Sequence, residues 1–450
     1  MTRYIPNQDD QRRRMLDRMG VGSFEDLLAP LPEEIRLDRN LDLPGPVSEL
    51  PLHRQMAGLA RTNTGSEKVC FAGGGAYDHF IPAAVDHIIS RSEFYTAYTP
   101  YQAEASQGTL QSIFEYQTMV ARLCGMEIAN ASMYDGASAA AEAALMAIRV
   151  KRKDRVLVAG TLNPRWLRVI RTYLDRAGFF VGEVPFDDNG RLDESALEAQ
   201  MEDGFSALVV PYPDYFGQVF DLQPLAEKVH SRGGLLVVAA DPIALAMLKS
   251  PGDCGADIVV GEGQSLGIPL CYGGPYCGFM ASRRRLARKM PGRLIGRTVD
   301  RAGETGYVMT LQTREQHIRR EKATSNICTN QALSALTNCV YMALMGETGL
   351  REVARQCYQR THYMVRRILE EVEGASTVFD NPFFREAAVL LPASGEAVRD
   401  AMLDRGYLAG IPVPGLGEGA LLLSATEKRT GEEIEGLAES LAVVCREVAT

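Results

Sequence analysis

The stretch DRVLVAGTLNPRWLRVIRTYLDRAG, residues 154–178, carries the pattern that decides the fold class. Residues 154–160 form a short apolar run, and Pro164 and Gly178 suit the first position and the end of the helix that follows. The same alternation of apolar runs and amphipathic helices continues as far as residue 263. Such near-continuous apolar strands predict a mostly parallel sheet that is covered by helices on both faces.

The pattern changes along the chain, and the changes predict three regions. Residues 1–60 read as a helical arm interrupted by prolines, and residues 61–335 contain the strand–helix alternation. Residues 336–450 begin with long helices and continue with shorter strands. We therefore expect a large α/β domain followed by a smaller C-terminal α/β domain.

The composition argues against several classes of protein. The net charge is −9, whereas nucleic-acid binding usually requires a basic excess. No apolar run reaches the length of about 18 residues that a membrane span needs, and the first residues lack the apolar core of a secretion signal. The nine cysteines form no C-x-x-C pair, and the six histidines are scattered. These features predict a cytoplasmic protein with no metal site, no nucleic-acid partner and no membrane contact.

Residues 130–154 contain the first candidate for ligand binding. A turn with Asp135, Gly136 and Ser138 leads into an alanine-rich helix. Small residues and a hydroxyl at a helix N-terminus suit a phosphate group, because the N–H groups there are unpaired and the helix dipole attracts anions. An ordinary N-cap on a packed helix explains the same residues, so both interpretations stay open.

A tyrosine cluster is the second candidate. Tyr95, Tyr98 and Tyr101 surround Pro100 in a predicted loop. Their hydroxyls are placed either to reach a ligand or to contact solvent while the rings pack. The residues alone do not decide between these two interpretations.

The third candidate, residues 315–333, contains a basic run before a predicted helix. Arg319, Arg320 and Lys322 precede the run 324–326, which consists of Thr324, Ser325 and Asn326. Basic groups next to a helix start favour an anion site. A solvated basic face beside an N-cap fits the same pattern, so the residues alone do not decide between the two.

Three blocks of sequence, taken together, point to a known family. They are YTPYQAEASQGTLQSIFEYQT (98–118), GEGQSLGIPLCYGGPYCGFMA (261–281) and REKATSNICTNQAL (320–333). These blocks resemble the glycine cleavage system P-protein family, whose members are pyridoxal-phosphate-dependent glycine decarboxylases. The resemblance runs across nearly the whole chain, and it is to the α subunit, or subunit 1, of the two-chain form.

The resemblance implies a fold-type I architecture, as in other pyridoxal-phosphate-dependent transferases. In such enzymes a strand-end aspartate meets the pyridine nitrogen, and a later lysine forms the Schiff base. Asp241 stands at such a strand end, but Gln264 and Ser265 occupy the place where a lysine is wanted, and none of the eight lysines replaces it. Together with Ser138, these residues are expected to form a pseudo-site that does not hold the cofactor covalently.

The resemblance also implies a partner. A homologous β subunit is expected to hold pyridoxal phosphate covalently, and the two chains are expected to form an α2β2 assembly. Together they would decarboxylate glycine and transfer the aminomethyl group to the lipoyl arm of the H-protein. This chain would contribute loop residues to an active site at the interface: Tyr95, Tyr98, Gln102, Glu104, Thr324, Ser325 and Asn326.

The same expectation gives some of these residues a role. The tyrosine hydroxyls either position the reacting molecules or transfer protons during the reaction, and Thr324 and Ser325 donate hydrogen bonds to the cofactor phosphate. Two other functions remain as alternatives. In the first alternative, the chain is a non-catalytic structural or regulatory subunit. In the second alternative, it is a stand-alone pyridoxal-phosphate lyase. The second alternative requires a lysine near residue 265, where the sequence has none.

Overall fold

A computed structural model describes residues 6–37 and 39–448. The chain divides into two compact units, residues 1–64 and residues 65–450. The first unit contains the helices α1 (Asp9–Met19) and α2 (Glu49–Arg61) with short 3₁₀ turns between them. Residues 6–37 and 39–60 of the predicted arm fall within this unit, and the boundary at residue 60 stays a prediction. No helix in residues 6–37 or 39–448 has the length and apolar character needed to cross a membrane.

The second unit contains the remaining helices and all the strands that the structure describes. Its helices are α3 (Ala83–Ile89), α4 (Ser92–Tyr95), α5 (Gln107–Leu123), α6 (Gly136–Lys151), α7 (Pro164–Asp175), α8 (Glu194–Glu202), α9 (Gln223–Ser231), α10 (Gln316–Arg319), α11 (Ala332–Glu371), α12 (Gly395–Asp404) and α13 (Gly431–Val448). Its strands are β1 (Val69–Cys70), β2 (Ile128–Ala129), β3 (Arg155–Ala159), β4 (Phe180–Val184), β5 (Ala207–Tyr212), β6 (Leu235–Ala240), β7 (Ile258–Glu262), β8 (Gly278–Ser282), β9 (Leu294–Val299), β10 (Thr305–Thr310), β11 (Ser376–Thr377), β12 (Glu386–Leu390), β13 (Tyr407–Leu408), β14 (Ile411–Pro412) and β15 (Ala420–Ser424).

A seven-stranded sheet forms the centre of this unit, in the order β2-β8-β7-β6-β5-β3-β4. The strands β4, β3, β5, β6 and β7 run parallel, whereas β8 and β2 continue the sheet in antiparallel pairs. A separate antiparallel sheet has the order β11-β12-β15-β14. The hairpin β9–β10 and the short parallel pair β1–β13 complete the strands.

Helices cover both faces of the central sheet, as the apolar runs predicted. Every residue of β5 and β6 is buried. Leu208 and Leu236 pack into one core, whereas the neighbouring Val209 and Val237 pack into the other. Successive side chains of a strand point to opposite faces, so both faces are covered. Each fully buried valine or leucine contributes about 1.5–3 kcal/mol, which explains why these strands lack polar alternation.

Two details differ from the sequence-based expectation. The helix that follows β3 ends at Asp175, and Gly178 lies beyond it with φ of 79° in the turn toward β4. The long helix α11 crosses the expected domain boundary at residues 335–336, and its backbone is interrupted at Gly346. The division into residues 61–335 and 336–450 therefore stays a prediction.

Candidate functional site

A cavity opens where the parallel strands end, the edge at which α/β proteins bind ligands. We call it the strand-edge pocket, and its polar lining includes Tyr77, Trp166, Asp241, Glu262, Ser265 and Arg385. Asp241 directly follows β6, and Glu262 is the last residue of β7. The structure thus brings together Asp241 and Ser265, which the sequence predicted for a pseudo-site, and adds Arg385 and Glu262, which it did not.

Asp241 is already paired inside the chain. Its Oδ2 lies 2.6 Å from Nε of Arg385 in an ion pair, and its Oδ1 accepts a hydrogen bond of 2.9 Å from the backbone N–H of Ile243. Arg385 is 2% exposed, and its guanidinium carbon lies 3.5 Å from the centre of the Tyr77 ring. Burial works to lower the pKa of Arg385, but the negative charges around it, Asp241 first, raise the pKa above its usual value.

The two residues at the expected lysine position are also engaged. The amide of Gln264 accepts a hydrogen bond from Tyr77 N at 2.8 Å and donates to Tyr77 O at 3.0 Å and to Ile268 O at 2.8 Å. Ser265 Oγ accepts from Nη2 of Arg385 at 3.2 Å. No lysine lines the strand-edge pocket in the part of the chain that the structure describes.

The side chain of Asp135 caps the start of α6. Asp135 accepts from Ser138 N at 2.7 Å, and Ser138 Oγ accepts from Asp135 N at 3.1 Å, which closes a capping box. The N–H of Gly136 donates to Glu262 Oε2 at 2.9 Å. The N-cap that the sequence offered as one interpretation is therefore present, and binding of an anion at this helix start stays a prediction.

The residues of the strand-edge pocket do not fit pyridoxal phosphate as a resident cofactor. Binding of this cofactor uses a lysine, a partner for the pyridinium nitrogen and a phosphate site. Here the lysine is absent, Asp241 is paired with Arg385, and a carboxylate lies at the start of α6. No chemical step can be assigned to the cofactor in this pocket.

A buried histidine connects Arg385 to Glu427. His79 Nε2 lies 2.5 Å from Nη1 of Arg385, and Nδ1 lies 2.7 Å from Glu427 Oε2. Because a guanidinium only donates, Nε2 accepts and Nδ1 carries the proton. His79, Cys357 and Glu427 present possible ligand atoms within 4.8 Å of one another. The hydrogen bonds and the adjacent guanidinium account for this cluster without an ion.

The tyrosine cluster lies on a different cavity of the same unit. We call it the tyrosine cavity, and its lining includes Tyr95, Tyr98, Arg293, Thr329 and Asn330. Tyr95 ends the short helix α4, whereas Tyr98 lies in the loop, and the two residues are 67% and 78% exposed. Gln102 and Glu104 follow on the same segment and are exposed. Tyr101, the third member of the cluster, packs edge-on against His317 with the ring centres 5.9 Å apart, so ring packing describes this tyrosine.

The second predicted segment borders a neighbouring small cavity, the Thr324 cavity, whose lining includes Arg293, Arg314, Glu315, Thr324 and Ser325. Thr324 is half-buried, and Asn326 is exposed. Ser325 Oγ donates to Glu142 Oε1 at 2.8 Å, and burial raises the pKa of Glu142. The single hydroxyl hydrogen of Ser325 is therefore directed into the chain rather than toward a ligand.

Arg293 joins the two predicted segments, and sequence reasoning missed it. Its Nη2 donates to Cys328 O at 2.5 Å and to Tyr101 Oη at 3.3 Å, and its Nη1 donates to Asn330 Oδ1 at 3.3 Å. It lines both the tyrosine cavity and the Thr324 cavity. No local pattern marks a lone arginine before a strand as such a connection, because its partners lie far away in sequence.

Comparison with known proteins agrees with this architecture. The family model described as glycine cleavage system P-protein matches residues 2–441. A protein of Desulforamulus reducens named probable glycine dehydrogenase (decarboxylating) subunit 1 is 50% identical, over 98% of this chain and 100% of the relative. The relative of the same name from Carboxydothermus hydrogenoformans is 49% identical, over 98% of this chain and 99% of its own length.

Solved structures give the same picture. The crystal structure of glycine decarboxylase (P-protein) of the glycine cleavage system, in inhibitor-bound form, has a TM-score of 0.89 and 44% identity, and the match covers 98% of this chain and 100% of that chain. A sphingosine-1-phosphate lyase of Burkholderia pseudomallei K96243 matches at a TM-score of 0.67 and 14% identity over 94% of each chain, which bears on the fold alone. The predicted fold-type I, pyridoxal-phosphate-dependent transferase-like fold is confirmed. Because similarity at this level extends over almost the whole length, the chain belongs to the glycine cleavage system P-protein family.

Proposed function

We propose that this chain is the α subunit of a two-chain glycine decarboxylase that works only with a β subunit. The observation that carries the proposal is the near-full-length identity of about half with relatives named subunit 1. The strand-edge pocket supports it, because the pocket has no lysine and its anchor groups are paired within the chain. An enzyme built this way needs a second chain to hold its cofactor.

In this proposal the β subunit binds pyridoxal phosphate covalently and this chain does not. The cofactor supplies the electron sink on which decarboxylation of an amino acid depends. The products of the joint reaction are carbon dioxide and an aminomethyl group, and the lipoyl arm of the H-protein receives the latter. The α2β2 assembly and the cytoplasmic location are parts of the same proposal, and both stay predictions.

The contribution of this chain to the shared site comes from its exposed loop residues. Tyr95 and Tyr98 present their side chains to solvent beside the tyrosine cavity, where a partner could cover them. Their hydroxyls can orient substrate or exchange a proton with it. Gln102, Glu104, Thr324 and Asn326 complete the proposed surface. Ser325 has a supporting role instead, since it bonds to Glu142.

A spectroscopic reconstitution tests the proposal. The chain alone, and then the chain mixed with its β partner, is incubated with pyridoxal phosphate, and the visible spectrum and the glycine-dependent exchange of carbon dioxide are recorded. We expect a protein-bound cofactor band and exchange only in the mixture. Attachment of one cofactor per chain to a single lysine of this chain alone after borohydride reduction would contradict the proposal and identify that lysine as the anchor, whereas partial labelling of several surface lysines would not.

One observation favours the alternative of a purely structural subunit. Ser325 and Tyr101 are both bonded within the chain, to Glu142 and Arg293. If all the loop residues had only a structural role, their variants would change assembly with the β subunit. They would not change the rate of carbon dioxide exchange per assembled pair. Gel filtration of the mixed chains, combined with the exchange assay, separates the two functions.

A further inference from the structure

The lack of a lysine leaves one question about the strand-edge pocket, which is whether it can still bind the cofactor without a covalent bond. Two anchor points of the fold remain in this chain, the carboxylate of Asp241 and the N-terminus of α6. A carboxylate next to a pyridinium and a helix start next to a phosphate each contribute to binding on their own. Each anchor point is occupied by a charged side chain from another part of the chain.

Arg385 occupies the first anchor point. It reaches Asp241 from the residue before β12, and it is held from three sides by the Tyr77 ring, Ser265 Oγ and His79 Nε2. A cofactor ring placed against Asp241 would have to displace a fully buried guanidinium and leave it without its counter-charge. Separating such a buried pair is strongly unfavourable.

Glu262 occupies the second anchor point. Its Oε2 accepts from Gly136 N at 2.9 Å, and its Oε1 accepts from Gln264 N and Cys277 N, each at 3.1 Å. A phosphate at the start of α6 would therefore compete for the N–H of Gly136 and would face the half-buried carboxyl group of Glu262, which is negatively charged above its pKa of about 7. Asp135, the N-cap of the same helix, adds a second negative group.

The ring of Trp166 also restricts the space at the start of α6. A Cβ atom added to Gly136 would lie 2.4 Å from the ring of Trp166, so the indole is in close contact with the start of the helix. Trp166 lines the strand-edge pocket together with Glu262 and Asp241. The ring and the carboxyl group of Glu262 therefore both lie close to the first turn of α6.

We propose that this chain excludes pyridoxal phosphate from its own pocket by filling both anchor points with its own charges, Arg385 at Asp241 and Glu262 at the N-terminus of α6. The pocket is closed to the cofactor even in the absence of any covalent requirement. This goes beyond the proposed function, because it concerns the isolated chain and holds whether or not the exposed loops serve a partner's active site.

The single tryptophan of the chain provides the test, since Trp166 lies in the pocket. Pyridoxamine phosphate is titrated into the full chain, because it has the ring and the phosphate but no aldehyde that reacts with surface lysines. Tryptophan fluorescence and equilibrium dialysis report binding. We expect no saturable quenching and no bound ligand with the natural sequence. Saturable quenching with one ligand per chain would overturn the proposal.

Two variants and one control make the result specific. The titrations are done at pH 8, above the pKa of about 7 that burial gives Glu262. There Glu262→Gln removes a negative charge and keeps the size of the side chain, and we expect it to increase the affinity for pyridoxamine phosphate by about tenfold or more, into the measurable range. Arg385→Met together with Glu262→Gln is expected to increase it further. Glu142→Gln removes a buried carboxylate from the same helix outside the pocket, so it should bind no ligand.

Circular dichroism first confirms that each variant is folded. If the double variant does not fold, Glu262→Gln alone decides. Should folded Glu262→Gln bind no more ligand than the natural chain, the carboxylate is not what excludes the phosphate, and the proposal fails. Pyridoxamine without phosphate separates the two anchor points, since only binding of the phosphorylated ligand should respond to Glu262→Gln.

Discussion

Replacing Arg293 with methionine tests whether this residue holds the two loop segments together. Arg293 is 6% exposed and donates to Cys328 O and Tyr101 Oη from one nitrogen and to Asn330 Oδ1 from another. Methionine keeps the length of the apolar stem but removes the charge and all the donors. We therefore expect a less stable chain in which the residues around both cavities lose their fixed positions.

The expected magnitude follows from the ion pair. Removing one member of a buried pair costs about 3–5 kcal/mol, because the other charge stays buried. Here Arg293 Nε lies 3.7 Å from Glu315 Oε2, which is a long contact, and His317 Nδ1 lies 3.6 Å from the same oxygen. Glu315 thus keeps a possible partner. We expect the free energy of unfolding to fall by about 3 kcal/mol, the low end of that range.

Urea unfolding of the isolated chain, followed by circular dichroism, measures this loss. Arg293→Lys keeps the charge and should cost less, whereas Arg351→Ala, which removes an exposed pair with Glu347, should be close to neutral. The double variant Arg293→Met and Glu315→Gln should recover part of the loss, because no unpaired charge remains.

With the β subunit present, Arg293→Met should also lower carbon dioxide exchange more than Arg293→Lys. The reasoning is refuted if Arg293→Met loses less than about 1 kcal/mol. It is equally refuted if the double variant loses the full sum of the two single losses, since the two residues would then not interact.

Three further predictions use the same assays. Tyr95→Phe should leave the free energy of unfolding unchanged, because the residue is 67% exposed. It should lower carbon dioxide exchange of the assembled pair by about tenfold or more. Unchanged exchange would rule out a catalytic role for the hydroxyl. Ser325→Ala should lower the free energy of unfolding by about 1–2 kcal/mol, because Glu142 loses its hydrogen-bond donor. Thr324→Ala should instead weaken the retention of cofactor by the assembled pair of chains. A stable Ser325→Ala chain that loses cofactor, or an unstable Thr324→Ala chain that retains it, would contradict the geometry. Burial raises the pKa of Glu262 from an ordinary 4.5 to about 7, so its contribution to stability is fully present below pH 4.5 and is lost as the pH rises toward 7. Urea midpoints should therefore fall less steeply over that interval in Glu262→Gln than in the natural chain, and equal slopes would count against the burial of this carboxylate.

Local pattern was enough to predict the class of fold. The apolar runs at 154–160, 205–213 and 235–241 are too short for helices and too apolar for half-exposed strands, so they predicted a covered parallel sheet, and β3, β5 and β6 form it. The helix end was placed less well, because Gly178 marks the turn rather than the last helical residue. Hydrogen bonding within the last turn, which sequence does not show, decides that boundary.

The absence of a lysine at residues 264–265 follows from the sequence alone, because it depends only on which residues stand there. The exposure of Tyr95 and Tyr98 does not follow from it, because exposure depends on contacts with the rest of the chain. Only the tertiary structure decided which charges fill the strand-edge pocket. Arg385 bonds to Ser265, 120 residues away, and Arg293 bonds to Tyr101, 192 residues away. A lone arginine has the same local pattern whether it lies on the surface or beside a buried carboxylate. Tertiary folding brings Arg385, which precedes β12 of the second sheet, to Asp241 at the end of β6, and it brings Glu262 to the start of α6.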